Sequence, residues 1–438
     1  MNLPEAFLSR MRTQLGETEF QAYLSAMARP ARRALRVNTL KTDAAALFSL
    51  LRLPQEPCGV IPEGFFVPEG FAPGTQPLHA AGLFYMQEPS AQFPAALLGA
   101  QPGETVLDLC AAPGGKTGQL AAAMQNRGLL IANEVSPARS SVLCGTLERL
   151  GVQNALVTSM RPDALCPLLA SRCDAVLVDA PCSGEAMFRR DPRALADWSE
   201  AHVLSCAERQ RGILASAAEA VRPGGRLVYS TCAFSPEENE ETVARFLQAH
   251  PEFSCQAQRR LYPHSSPGEG QFAALLLREG GPAPAAAAPL RGPQRRAGAA
   301  LTEPPAALRR FFSETMRVPP AAQVRTLPDG RVFLLPERLP ALLERMRVLR
   351  AGVLAGELRG ARFVPAHGLF LAYPKSAFSA AAELEGAALS AFLAGEAIPC
   401  DPALSGYVAA CVSGHPLGFG KAAGGTLKNH LPKGLRIR

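Results

Sequence analysis

The chain has 438 residues, 47% hydrophobic and 19% charged, which suits a soluble globular protein of two or three domains with a sizeable core. MNLPEAFLSRMR at the start has no apolar signal core, and no stretch approaches ~18 uninterrupted apolar residues, so neither a signal peptide nor a membrane span is expected. Eleven cysteines, an odd count without a CxxC pair, and seven scattered histidines exclude a disulfide framework and a zinc site, leaving free thiols in a cytoplasmic protein. The net charge of +7 fits a polyanionic partner where the basic residues cluster.

In chain order, Leu3, Phe7, Leu8, Met11, Leu15, Phe20, Tyr23, Leu24 and Met27 recur at helical spacing. RPARRALRVNTLK (29–41) sets Arg32, Arg33, Arg36 and Lys41 around a short strand, as a solvated basic edge or a phosphate-contacting arm. Residues 42–90 are Pro/Gly-rich with short apolar runs, and YMQEPSAQ (85–92) leads into a helix. Together 1–95 reads as a small helical and α+β module. From 101 to about 279, the strands TVLDLC, LLIANE, ALVTS, AVLVDA and RLVYSTC alternate with helical segments such as 137–150 and 203–221. ENEETVARFLQAH adds a helix and QFAALLLRE a closing strand. This alternation predicts an α/β domain over 96–280, a doubly wound Rossmann-like sheet with ligands at its strand C-termini.

A Pro/Ala/Gly/Arg segment at 281–300 cannot build a core and is expected to be a linker. An intermediate module is expected over 301–380 and a basic module over 381–438. After Asp401 the chain holds no acidic residue, while Lys421, Lys428, Lys433, Arg436 and Arg438 lie among glycines, as a nucleic-acid surface would have them. A solvated tail would not account for Leu417, Phe419, Leu427 and Leu431.

The chemistry centres on TVLDLCAAPGGKT (105–117), a strand, a glycine turn and a helix start. That geometry brings backbone amides and a helix N-terminus against a ligand. GGKT followed by AVLVDA suggests the two halves of a nucleotide-triphosphate site. A P-loop, however, needs glycine where Cys110 stands. A nucleoside with a short non-phosphate tail, such as S-adenosylmethionine, needs the turn and an acidic residue at the end of the second strand, where Glu134 stands.

Two further strand ends carry thiols: DAPCSGE puts Asp179 and Cys182 past one strand, and YSTC puts Cys232 past the next. On neighbouring strands both would face one cleft, whereas Cys110, Cys144 and Cys173 read as small buried hydrophobes. Such a pair suits methylation of an unreactive aromatic carbon. A thiolate adding to C6 of cytosine makes C5 nucleophilic toward a sulfonium methyl. Asp179 could supply a proton near N3, and a second acid-base group, Cys182, could assist loss of the C5 proton and release. The residues alone do not decide which thiol attacks.

CAAPGGKT, DAPCSGE and YSTC, in this order, resemble the Nop/Sun family of RNA cytosine-5 methyltransferases over roughly 100–280. LRVNTLK resembles that family's N-terminal RNA-contacting module. MFRRDP (187–192) and GFGKAAGGTLKNHLPKGLR are similar to segments of its bacterial RsmF-type branch, the latter to a PUA-like domain. The resemblance implies a methyltransferase forming 5-methylcytosine in 16S ribosomal RNA, with S-adenosylmethionine as cofactor and no metal. The partner would be ribosomal RNA, within the small subunit or free, and the enzyme a monomer. Cys232 would be the nucleophile, Cys182 would assist release, and Asp179 would sit beside donor and base. Cys110, Ala111, Ala112, Pro113, Gly114, Gly115 and Lys116 would line the methionine side of the cofactor, and Glu134 would bind its ribose. The family places an acidic residue near the end of strand three; here Ser159, Met160 and Arg161 stand there, followed by Asp163. Rival readings are the same chemistry on transfer RNA, a non-catalytic ribosome-assembly factor that keeps the fold as an RNA platform, and a P-loop NTPase.

Overall fold

In the computed structural model, residues 3–280, 303–340 and 343–437 are described. The linker expected at 281–300 lies outside them.

The N-terminal helix, Glu5–Met27, is broken at Gly16, where φ is +71°. Its buried residues Phe7, Met11, Phe20, Tyr23 and Met27 pack against Phe188, Trp198 and Phe234 of the central domain. A three-stranded sheet follows, with β1 (Ala34–Val37) between β2 (Gly64–Phe66) and β3 (Phe84–Met86).

The central sheet holds β4 (Thr105–Asp108), β5 (Leu129–Asn133), β6 (Ala155–Thr158), β7 (Cys173–Asp179), β8 (Val221–Thr231), β9 (Phe253–Leu261) and β10 (Gln271–Arg278). Their order is β6-β5-β4-β7-β8-β10-β9. The first five of these are parallel, and β10 and β9 are antiparallel additions. The parallel strands are almost wholly buried, as strands covered by helices on both faces must be, hence their unbroken apolar runs. The order reverses beside β4, with β5 on one side and β7 on the other, which opens the crevice where such sheets bind ligands.

Two more sheets follow. β11 (Val324–Thr326), β12 (Arg331–Leu334), β14 (Val353–Arg359) and β15 (Arg362–Pro365) form one. β16 (Ala381–Glu383), β17 (Ile398–Pro399), β18 (Gly406–Val412), β19 (His415–Ala423) and β20 (Thr426–Asn429) form the other. Leu417, Phe419, Leu427 and Leu431 are buried in this last module, which explains apolar residues inside an otherwise basic tail.

One strand of the 301–380 stretch, β13 (Val348–Ala351), leaves its neighbours and pairs antiparallel with β6, making the central sheet eight-stranded. Arg350 on it is buried and donates to the carbonyls of Gly352 (2.7 Å), Cys144 (3.1 Å) and Val152 (2.9 Å).

The N-terminal module is clamped to the end of the central helix Pro137–Leu150. A helix terminus leaves its last carbonyls without partners. Here Lys41 Nζ donates to the Arg149 carbonyl (3.1 Å) and Asn38 Nδ2 to that of Leu150 (2.9 Å). Arg36 is 3% exposed. Burial pushes the Arg36 guanidinium down to about 10 and the Lys41 ammonium down to about 7. The phosphate-arm reading of LRVNTLK is therefore corrected for Arg36 and Lys41, which are structural. Arg32 and Arg33 remain exposed, Arg32 lying over the Phe66 ring.

Arg350→Ala strands three carbonyls and is expected to cost about 3 kcal/mol. Urea unfolding should show a lower midpoint, while Arg359→Ala at the exposed end of β14 should stay within about 0.5 kcal/mol.

Candidate active site

Five strand ends, those of β4 to β8, build the site. After β4 the chain turns through Cys110–Gly114 into the helix Gly115–Ala123. Gly114 sits at φ +108°, and a Cβ there would come within 2.9 Å of Thr146. A Cβ on Gly115 would meet the Tyr85 ring at 2.8 Å, so the turn is pressed between the N-terminal module and the helix Pro137–Leu150. Both glycines are required by space, and Gly114 by backbone conformation as well.

A cavity of about 910 Å³ opens over these ends. Among its lining are Cys110, Ala112, Glu134, Asp179, Cys182 and Cys232. The expectation that the whole 110–116 loop lines the cavity narrows to Cys110 and Ala112. Ala111, Gly114 and Gly115 are buried within the loop and Pro113 is exposed. Lys116 turns instead to Asp179, with Nζ 2.7 Å from Oδ2.

Asp179 ends β7 and accepts from Ser230 Oγ (2.7 Å) and Gln271 Nε2 (3.2 Å) at its other oxygen. Burial disfavours the Lys116 ammonium, but the Asp179 carboxylate outweighs it and the net shift is upward. The Lys116 ammonium is therefore held charged beside Asp179. Asp108, at the end of β4, is 1% exposed. Its Oδ2 accepts from Thr117 Oγ1 (2.6 Å), while its Oδ1 is buried without a partner. Burial pushes this carboxyl up to about 7, against the Thr117 hydrogen bond and with help from Asp179.

Glu134 follows β5, with its carboxylate only 2% exposed at the cavity wall. Oε1 accepts from the Ser136 amide (2.9 Å), and Arg139 lies 3.2 Å from Oε2. Arg139 also donates to the Ala112 carbonyl (2.9 Å), tying the loop after β4 to that after β5.

The thiols meet. β7 and β8 are adjacent and parallel, with Asp179 level with Ser230. The loops beyond them bring Cys182 Sγ to 3.2 Å from Cys232 Sγ. The hydrogen bond to Cys232 and burial both push the Cys182 thiol well up, and either sulfur can be the donor of the pair. Cys173 and Cys166 are buried in the core beneath the sheet, as expected of structural cysteines.

Several lining residues escaped the sequence reading: Val135, Arg161, Pro162, Arg209, Ile213 and Ser216. Asp163, left open by the sequence, does line the cavity, and its carboxylate is engaged by Arg161 (2.8 and 3.1 Å). The departure of the segment after β6 from the family pattern was the available signal for 161–163. Val135 sits in the loop after β5, beside Glu134, and Arg209, Ile213 and Ser216 come from the helix Glu200–Ala220, which local motifs do not reveal.

Four family models match in succession. The N-terminal domain of 16S rRNA methyltransferase RsmF matches 3–89, and 16S rRNA methyltransferase RsmB/F matches 95–277. The RsmF first C-terminal domain matches 310–372 and the RsmF PUA domain 379–437. The ribosomal RNA small subunit methyltransferase F of Erwinia tasmaniensis is 33% identical, over 99% of this chain and 96% of its own. The chain belongs to the RsmB/F methyltransferase family. The Salmonella schwarzengrund relative of the same name is 34% identical over the same shares. A solved methyltransferase homologue from Pyrococcus horikoshii superposes with a TM-score of 0.55 at 29% identity, covering 63% of this chain and 100% of that one. NSun6 from the same organism, solved with SFG, has the fold as well, at a TM-score of 0.57 and 21% identity over 64% of this chain and 99% of that one. Among the described residues no helix is long and apolar enough to cross a membrane.

The Asp108 carboxyl gives a pH prediction. Its folded value, about 7, lies above the ordinary 3.8, so the native state binds the extra proton between these limits. Stability from this group is full below about 4 and is lost as pH rises through 7. Asp108→Asn does not titrate. It should therefore raise the urea midpoint at pH 8, and this gain should shrink steadily toward pH 4.

Proposed function

We propose that the protein is an S-adenosylmethionine-dependent methyltransferase of the cytoplasm that forms 5-methylcytosine in 16S ribosomal RNA. The observation that carries the reading is the Cys182–Cys232 pair, 3.2 Å apart, in one cavity with Asp179 and Glu134. Ribosomal RNA as substrate is supported by the names of the relatives and by family matches along almost the whole chain. The basic surface of the 381–438 module supports RNA contact mainly through phosphates and shape.

The residues fit the cofactor. A cavity of about 910 Å³ accommodates a nucleoside with an amino-acid tail. Glu134 offers a carboxylate for ribose hydroxyls, and Cys110 and Ala112 offer the loop wall for the tail. The bound cofactor supplies an electrophilic sulfonium methyl. The SFG in the Pyrococcus neighbour, an S-adenosylmethionine analogue, supports this choice of ligand.

Cys232 as a thiolate adds to C6 of the flipped cytosine, and C5 gains the electron density to take the methyl group. The Lys116–Asp179 pair meets the negative charge that develops on the ring during attack and shares a proton with it. Loss of the C5 proton to solvent water then restores the C5–C6 double bond, and the electron pair of the breaking C6–S bond leaves with the Cys232 sulfur. Cys182, held as a thiol beside that sulfur, donates to it as it leaves.

Radiolabelled S-adenosylmethionine, ribosomal RNA, transfer RNA and assembled small subunits test this. Label should enter 16S RNA as 5-methylcytosine, vanish with Cys232→Ala, and persist as a denaturation-resistant protein–RNA adduct with Cys182→Ala. Label confined to transfer RNA would overturn the substrate, and no label in any RNA would favour an assembly platform. Glu134→Ala should weaken cofactor binding by roughly tenfold to a hundredfold, as loss of a buried charged hydrogen-bond partner does. Equilibrium binding measures this directly, with ATP as the non-binding control.

A further inference from the structure

Two carboxylates near the thiols take no part in the chemistry above. Glu185 is 1% exposed and Glu238 wholly buried, and neither lines the cavity. Neither has a lysine, arginine or histidine ion-pair partner among the described residues. Burying a carboxylate without a cation is costly, and apolar residues would fill the space at lower cost. Their hydrogen bonds point to a different role.

Glu185 lies three residues after Cys182, yet it grips the loop of Cys232. Its Oε2 accepts from the amides of Phe234 (2.5 Å) and Ser235 (2.8 Å), and its Oε1 from Ser235 Oγ (2.6 Å) and Trp198 Nε1 (2.9 Å). The next amide, Ala186, donates to the Cys232 carbonyl (3.0 Å). Glu238 lies six residues after Cys232, yet it grips the loop of Cys182. It accepts from the Ser183 amide (3.0 Å), from Ser183 Oγ and from Gln210 Nε2 (2.7 Å). Gln210 in turn donates to the Pro181 carbonyl (3.0 Å), so the residues on both sides of Cys182 are tied down. Each thiol loop is thus held by a carboxylate carried on the other.

We propose that Glu185 and Glu238 are positioning residues for the two half-reactions: Glu185 sets Cys232 for attack, and Glu238 sets Cys182 for release. The proposal rests on the thiol roles given above. Because the clasps act on different loops, their loss separates kinetically. A displacement of about 1 Å at a reacting group costs up to about a hundredfold in rate.

The full-length Glu185→Gln and Glu238→Gln variants, with wild type, Cys232→Ala and Cys182→Ala alongside, are assayed in single turnover with labelled cofactor and the accepted RNA. Adduct is followed on denaturing gels, and cofactor binding and thermal unfolding are measured in parallel. Glu238→Gln is expected to form adduct at near the wild-type rate and to release it roughly tenfold to a hundredfold more slowly. Glu185→Gln should slow adduct formation by a similar factor, with ordinary release of what forms. Cofactor affinity should stay within about twofold in both, because neither residue touches the cavity. Should Glu238→Gln fail to fold, Ser183→Ala removes one donor of the same clasp and must by itself prolong the adduct. Equal effects of both glutamine variants on formation and release, or losses that track cofactor binding and melting temperature, would overturn the proposal. Full labelling by Cys232→Ala would instead overturn the thiol roles, and the positioning roles with them.

Discussion

The parallel pairing of β7 with β8 is the constraint on which the site depends. Its register sets Asp179 level with Ser230. Chain leaving both strands at the same level then has to turn over the same edge of the sheet. The two thiols, fifty residues apart in sequence, meet there without any covalent link. Everything else near the cleft consolidates that meeting. The aromatic face of the N-terminal helix supports it from behind, with Phe7 against Phe188 and Trp198 and Tyr23 against Phe234. Arg10 on the same helix reaches Glu237, next to Glu238. The first module of the chain therefore does structural work at the reaction centre, beside any contact it makes with RNA.

The central sheet was legible because its strands are covered on both faces and read as apolar runs. Their predicted ends differ from the observed ones by a residue or two in most cases, as with TVLDLC against β4. β8 is the exception. It begins at Val221, five residues before the predicted strand, because Pro223, Gly224 and Gly225 disguise its start as a turn. β9 escaped entirely: it is an edge strand whose middle residues are solvated on both faces, so no alternation marks it. The apolar helical spacing at 3–27 was read as continuous, but Gly16 interrupts it.

For the site, the strand ends were readable since motif and strand coincide there: Glu134, Asp179, Cys182 and Cys232 all reach one cavity. The glycine turn was readable as a ligand loop, but not which of its residues reach the ligand space. Lys116 illustrates why. Its side chain is drawn to an aspartate sixty-three residues away, a pairing that only the fold creates. Likewise, LRVNTLK looked like a phosphate arm because its charges were visible, while the carbonyls that Lys41 satisfies were not. Glu185 and Glu238 were hidden for a related reason. Glu185 closes DAPCSGE but acts on the loop of Cys232, and Glu238 opens the segment beyond YSTC but acts on the loop of Cys182, so a motif read by itself gives no hint of such exchange.

β13 has a consequence for how the molecule is made. The edge of β6 is covered by a strand encoded well after the last of the other central strands, and beyond the 281–302 stretch. During synthesis on the ribosome, the catalytic half emerges with that edge bare. Its backbone amides and carbonyls at β6 are open to solvent, and to other chains, until β13 follows. Ser159, whose amide bonds to the Arg347 carbonyl beside β13, also waits for that later segment. The rim of the ligand cavity at 161–163 follows directly from this position. The sheet edge beside this rim is thereby finished by a segment from far along the chain.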